Sequence, residues 1–269
     1  MSIIKSLAGT SWGQDKESLL ITYKTLIRTK LDYAAPVWVP NAKPSPLKRL
    51  QSVQNAGLRL VTGSHKMASE SHLHNESKLL RVQEHLNMLS AQYLASALRV
   101  NHPAHEPVSC PAQRREKKKT LQSRFHADVA PHLVDGILPR RTYPATKSAI
   151  HTDFVTKSIA SHGSHPLTNA PAPTVHRSES RLPRSHRSIL SQLRSGHCAK
   201  LQSYLHRIDK ADLPTCPHCK ASDETVQHIF ECPSFPTDLT LSDLWSRPTR
   251  VASFLSTHLS FSLSPLDPL

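Results

Sequence analysis

Three cysteines and one histidine toward the C-terminal end constrain this chain more than any other feature. Cys216-Pro217-His218-Cys219 is followed by His228 and Cys232, a spacing of C-x2-C-x8-H-x3-C. A C-x2-C turn lets two thiolates converge on one ion. Residues four apart share a face of a helix, so His228 and Cys232 can complete the set. The four ligands form a closed tetrahedral Cys3His group of the kind that holds structural zinc, with no open position for a catalytic water. Val226, Ile229 and Phe230 lie between and around the second pair and can pack the small core that such an ion nucleates. His218 reads as an exposed turn residue or a substitute ligand. The alternative is a set of unligated cysteines in a loose tail. The chain has 5 cysteines, and an odd, clustered set fits metal binding in a reducing compartment better than disulfides.

Glycine is scarce at 7 residues, whereas proline reaches 21 and histidine 18. Few glycines argue against phosphate-cradling loops and hairpin-rich β architecture. Helices joined by proline-rich connections fit better. Lysine and arginine number 34 against 20 acidic residues, a formal charge of +14. Such a field attracts polyanions and speeds their encounter, although basic segments also bind anionic membrane surfaces. No apolar run approaches the ~20 residues that span a bilayer, and residues 1–13 lack the features of a secretory signal. The expectation is an intracellular protein, cytoplasmic or nuclear, with no membrane partner.

The pattern predicts a mainly α fold in four consecutive segments. Residues 1–102 read as helical. Over 15–31, Leu19, Leu20, Tyr23, Leu26, Ile27 and Leu31 recur at helical spacing, and Pro36 and Pro40 interrupt the stretch after Leu31. A second helix should open at Ser45-Pro46 and stop at Gly63, with Leu47, Leu50, Val53, Gly57 or Leu58, and Val61 inward. Gln54, Asn55 and Arg59 could face solvent, satisfy neighbouring backbone or contact a nucleic acid. A third helix, over 79–100, should turn Leu86, Leu89, Tyr93, Ala97 and Val100 inward. Residues 103–186 are rich in proline, serine, histidine and basic residues, so they read as a largely disordered basic linker. Within it, Arg114, Arg115, Lys117, Lys118 and Lys119 form a concentrated run suited to nucleic acid or nuclear targeting, or to a merely solvated linker. Residues 187–236 should be a helix followed by the zinc knuckle, with Arg187, Arg194 and Lys200 on the polar face as further nucleic-acid contacts. Residues 237–269 should form a short helical tail with a frayed end.

Catalytic groups are not apparent. Cys198 follows His197, but adjacent residues of a helix diverge by about 100°, so the pair is not a nucleophile and its base. No Asp-Asp pair occurs, and the dispersed carboxylates do not suggest a two-metal polymerase or nuclease site.

Two stretches resemble a known family. Leu7-Ala8-Gly9-Thr10-Ser11-Trp12-Gly13, Lys16-Glu17, Thr22-Tyr23-Lys24, Tyr33-Ala34-Ala35-Pro36-Val37-Trp38, Leu50-Gln51-Ser52-Val53-Gln54-Asn55 and Leu58-Arg59 are similar, in that order, to the segment after the catalytic palm of jockey-like non-LTR (LINE-type) retrotransposon reverse transcriptases. Leu193-Arg194-Ser195-Gly196-His197 through Tyr204-Leu205, leading into the cysteines, is similar to the C-terminal region of the same elements. The resemblance covers residues 3–100 and 185–235. It implies thumb and connection helices over 15–100 and a zinc knuckle at Cys216, Cys219, His228 and Cys232. The knuckle departs from the retroviral C-x2-C-x4-H-x4-C spacing.

Together these readings predict a truncated fragment of an RNA-directed DNA polymerase that lacks the catalytic palm. It should bind RNA or DNA in a salt-dependent way without being an enzyme by itself. The rival reading is a zinc-dependent protein-interaction module.

Overall fold

The structure is a computed structural model that describes residues 2–9, 13–99, 101–109, 120–161 and 163–257. Helices dominate it; among the described residues, extended pairing is limited to isolated bridges such as Thr215 with Asp223. No described helix is long and apolar enough to cross a membrane.

The chain divides into two compact units, each built from separated segments. One takes Met1–Tyr23, Asn55–Lys78 and Ser164–Leu269; the other takes Lys24–Gln54 and Leu79–Gly163. The consecutive four-segment organisation expected from sequence is therefore replaced by a discontinuous one. The reason is that the chain passes between units inside its helices: Pro44–Thr62 begins in the second unit and ends in the first.

In the second unit the Val82–Ala97 helix is central and packs against Leu121–Val129, Tyr143–Ser161 and Ala35–Trp38. Its buried residues Val82, Leu86, Met88, Ala91, Leu94 and Ala95 cover more than one face. The expected stripe holds at Leu86 and Ala97, while Tyr93 turns outward and Val100 lies outside the described residues. Gln51 Oε1 accepts from Val82 N at 2.8 Å at the helix start, where backbone donors lack helical partners.

Within the stretch 103–186, expected to be largely disordered, this unit is helical over Leu121–Val129 and Tyr143–Ser161. Leu121–Val129 is a helix closed at its start by reciprocal bonds between Thr120 and Ser123, a capping arrangement that satisfies two orphan donors. Phe125 and Val129, four apart, enter the same core as Leu138 and Ile150. Composition averaged over the stretch hides this, because a neighbouring helix supplies most of the apolar surface and few residues need to answer it. Beyond Gly163, Glu179 and Leu182 are also buried. The basic run Arg114, Arg115, Lys117, Lys118 and Lys119 lies outside the described residues, as does Cys110.

The first unit has its core in Leu182, Leu190, Leu193, Cys198, Leu201, Tyr204, Val226, Ile229, Trp245, Val251 and Leu255 among others. The single helix expected from 187 onward is two, Arg184–Arg194 and Gln202–Arg207. Gly196, at φ 71°, separates them. His197 N bonds Gln192 O and Gly196 N bonds Leu193 O, the paired 6→1 and 5→2 closure of a left-handed helix end.

The Pro44–Thr62 helix begins one residue before the expected serine cap and stops at Gly63 as expected. Gly63 has φ 70°, and a Cβ there would lie 2.3 Å from Ser188 Oγ. Arg184 donates to the Leu60 carbonyl at 2.6 Å and to the Val61 carbonyl. A cation at the negative end of a helix complements its dipole and satisfies its last acceptors.

Candidate metal centre

Cys216, Cys219, His228 and Cys232 come together, their ligand atoms all within 4.8 Å of one another. Cys216 Sγ lies 4.0 Å from Cys232 Sγ, and Cys219 Sγ lies 3.3 Å from His228 Nε2. A tetrahedral ion with metal–sulfur bonds of about 2.3 Å holds two sulfurs about 3.8 Å apart. The observed spacing therefore fits one ion at the centre of the four.

The local backbone explains the convergence. Cys216 N donates to Ser222 O at 2.8 Å, and Lys220 N donates to Cys216 O at 3.0 Å. Lys220 sits at φ 55°, which turns the chain back after the second cysteine. The bridge between Thr215 and Asp223 closes the loop below. His228 opens a short helix, His228–Glu231, and its N–H donates to Thr225 Oγ1 at 3.1 Å. Ile229 and Phe230 then face the core of the unit, leaving His228 and Cys232 turned to the other pair.

Nε2 is the ring atom of His228 that faces the sulfurs. Nδ1 lies 3.0 Å from Ser222 Oγ, an outer partner of the kind that fixes the tautomer and orientation of a ligating imidazole. The Ala221 N–H donates to Cys219 Sγ at 3.5 Å, and this bond leads the effects that hold the Cys219 thiol down to about 7. Burial pushes the Cys216 thiol up. One thiolate is thus available near neutrality before any ion arrives, and the ion itself would deprotonate the others. Glu224, buried beside the loop, accepts from Gln202 N at 2.8 Å and joins the knuckle to the preceding Gln202–Arg207 helix. Ser222 and Glu224 carry no motif, because their roles depend on the turn geometry.

Among the described residues this is the one cluster of three or more His, Cys, Asp or Glu groups placed to hold an ion. Cys198 is fully buried and its thiol is pushed up to about 11 by burial, as a packing residue should be.

Two of the arginines expected to contact nucleic acid are placed elsewhere. Arg194 is 0 % exposed. Its Nε and Nη2 bond Glu76 at 2.5 and 3.1 Å, and its Nη1 bonds Glu179 at 2.7 Å and Leu244 O at 2.9 Å. Lys16 adds an ion pair to Glu76 at 3.2 Å. Arg187, also buried, bonds both oxygens of Glu17 at 2.6 and 2.8 Å. A helical wheel assigned both to the polar face; partner carboxylates from distant segments draw that face inward, and sequence spacing does not reveal them. Lys200 stays exposed. Gln54 bonds Leu80 O, Asn55 bonds Glu70 and Arg59 bonds Ala68 O, so each serves an internal neighbour.

Over 94 residues the chain is 32% identical to a probable RNA-directed DNA polymerase from transposon X-element of Drosophila melanogaster; the match takes in 31% of this chain and 10% of that protein. The chain spans about a tenth of that relative's length. The likeness relates the chain to a retrotransposon RNA-directed DNA polymerase. No family model and no solved structure matches the chain.

Proposed function

We propose that this chain is a nucleic-acid-binding part of a jockey-like retrotransposon reverse transcriptase, with a C-terminal module folded on one structural zinc ion. The observation that carries the reading is the closed Cys3His cluster in a chain of net charge +14. Three thiolates and an imidazole are a donor set that zinc favours, and a set without an open position serves structure over catalysis. The likeness to the transposon polymerase supports the ancestry and suggests RNA or DNA as the partner. Nucleotidyl transfer by these residues is not part of the proposal. A two-metal site needs free, closely placed carboxylates, whereas Glu76 and Glu179 are both committed to Arg194.

Binding would be dominated by phosphate contacts. Fluorescence anisotropy of a labelled single-stranded RNA should then give an affinity that falls with salt, at a log–log slope of about −0.7 for each phosphate neutralised. Affinity that does not change between low and physiological salt would sink the reading. Primer extension with the chain alone should give no product.

A second reading has its own observation. Leu213 and Ile208 are exposed just before the first cysteine, and exposed apolar residues at a zinc module suit a protein partner. Stoichiometric capture of one protein from nuclease-treated extract, with no RNA or DNA binding, would favour it.

A further inference from the structure

The basic residues of the first unit are not all alike. Arg187, Arg194, Arg247 and Arg250 each lie within 4.0 Å of a carboxylate. Another group has no carboxylate within that distance among the described residues. His65 and Lys66 follow the Gly63 turn, His197 follows the Gly196 turn, and Arg207 closes the Gln202–Arg207 helix. Three separated segments thus place four cationic or protonatable groups around a single tyrosine.

Tyr204 organises them. Its hydroxyl lies 3.1 Å from His65 Nδ1 and 3.2 Å from Nε2. Its ring stands edge-on to His65 at 5.0 Å and to His197 at 5.9 Å. The Arg207 guanidinium lies over the same ring, 4.9 Å from its centre, a cation–π contact that restrains the side chain. The two imidazole planes are parallel within 1°, with centres 6.3 Å apart. His197 is anchored through Nδ1 to Ser195 O at 2.7 Å. Tyr204 itself is buried, whereas Lys66 and Arg207 are exposed.

Burial first, then His197, Lys66 and Arg207, hold the His65 imidazole below its ordinary range. Every charged neighbour acting on it is cationic, and among the described residues neither Lys66 nor Arg207 forms an ion pair with a carboxylate. Like charges gathered without counter-charge oppose folding, so a fold that holds them in place has a surface prepared for an anion. Arginine and lysine supply phosphate contacts, and flanking ring planes suit unpaired bases.

We propose that His65, Lys66, His197 and Arg207, arranged around Tyr204, form a docking surface for the phosphate backbone of single-stranded nucleic acid. This rests on the nucleic-acid reading above and assigns it to a place. The surface differs from the residues that the polar-face pattern nominated, of which Arg187 and Arg194 face carboxylates.

The test uses the full chain and a labelled single-stranded RNA, followed by anisotropy across a salt series. Lys66→Glu combined with Arg207→Glu is compared with Lys24→Glu combined with Lys30→Glu, an equal change in net charge at exposed lysines of the other unit. The first pair should weaken binding at least ~10-fold and flatten the log–log salt slope by about 1.4, the share of two phosphates on a single strand. The second pair should stay within ~3-fold of the parent, since neither lysine belongs to the proposed surface. Equal loss in both variants overturns the assignment while leaving the nucleic-acid reading intact. A parent chain that binds no RNA sinks both. Anionic phosphatidylserine vesicles that displace the RNA and lose affinity with the same first pair would make the surface a membrane site and overturn the proposal. Lys66→Ala combined with Arg207→Ala, checked by circular dichroism, repeats the test without charge reversal.

Discussion

A buried arginine between two buried glutamates has a definite energetic signature. Burial alone would raise the Glu76 carboxyl, but Arg194, then Lys16, hold it well below the usual carboxylate range. Replacing Arg194 with methionine keeps most of the volume and leaves Glu76 and Glu179 buried without their partner. Breaking one side of such a pair costs about 3–5 kcal/mol, so chemical denaturation of Arg194→Met should show a loss of that order, or no folded first unit at all. A variant as stable as the parent would show that the triad adds nothing. His72 sets a pH window beside it. The ring is buried, its Nε2 lies 3.3 Å from Ser191 Oγ, and desolvation lowers it to about 4. The folded state is therefore the poorer proton acceptor: its contribution is complete above the unfolded value of 6.5 and is lost as pH falls toward 4. A shift of this size corresponds to a loss on the order of 3 kcal/mol between those limits. Thermal melts between pH 7 and pH 4.5 should show that decline, and His72→Asn should remove much of it.

At the level of helices, close approach decides more than propensity does. Gly63 needs both a left-handed backbone and a bare Cα, since Ser188 Oγ and Cβ would stand 2.3 and 2.7 Å from an added Cβ. Gly63→Ala should destabilise by about 2–4 kcal/mol, combining the left-handed penalty with overpacking. Gly136, at φ 78° with nothing within 4 Å of an added Cβ, should lose only the ~1–2 kcal/mol of the backbone conformation. Equal losses in urea unfolding would mean that the helix contact at Gly63 is soft. The Gly63 stop was legible in the sequence, as were the Pro44–Thr62 and Val82–Ala97 helices, because each is announced by punctuation and an apolar period. The 15–31 helix was legible only in part. It runs as Lys16–Tyr23, then a π turn over Lys24–Arg28. The extra residue shifts the inward face from Tyr23 to Arg28 and leaves Leu26 exposed. A single inserted residue of this kind leaves no mark on a 3.6-residue pattern. The helices of 121–161 were illegible for a different reason: their apolar residues are few, and the surface that makes them sufficient comes from a helix far away in sequence.

For the molecule as a whole, the cysteine cluster and the charge were visible from the residues alone, because ligand spacing and net charge are properties of the chain. Which cations remain free is a property of the fold. Arg187 and Arg194 look like surface residues in sequence and are buried partners of Glu17, Glu76 and Glu179, whereas His65 and Lys66 carry no motif and share a surface with Arg207 through Tyr204. The two-unit division had no sequence signature either, since each unit is stitched from separated segments. Val226, Ile229 and Phe230, which flank His228, lie in the core of the first unit.

The most direct measurement is metal content with spectroscopy on the purified full chain. Zinc, quantified by mass spectrometry, should be one per chain, and replacement by cobalt should give the thiolate charge-transfer and d–d bands of a tetrahedral three-sulfur, one-nitrogen site. Cys219→Ser should lose the ion, with residues 213–236 losing amide-exchange protection. A chain that purifies without zinc, binds no cobalt and keeps the same protection in Cys219→Ser would contradict the account.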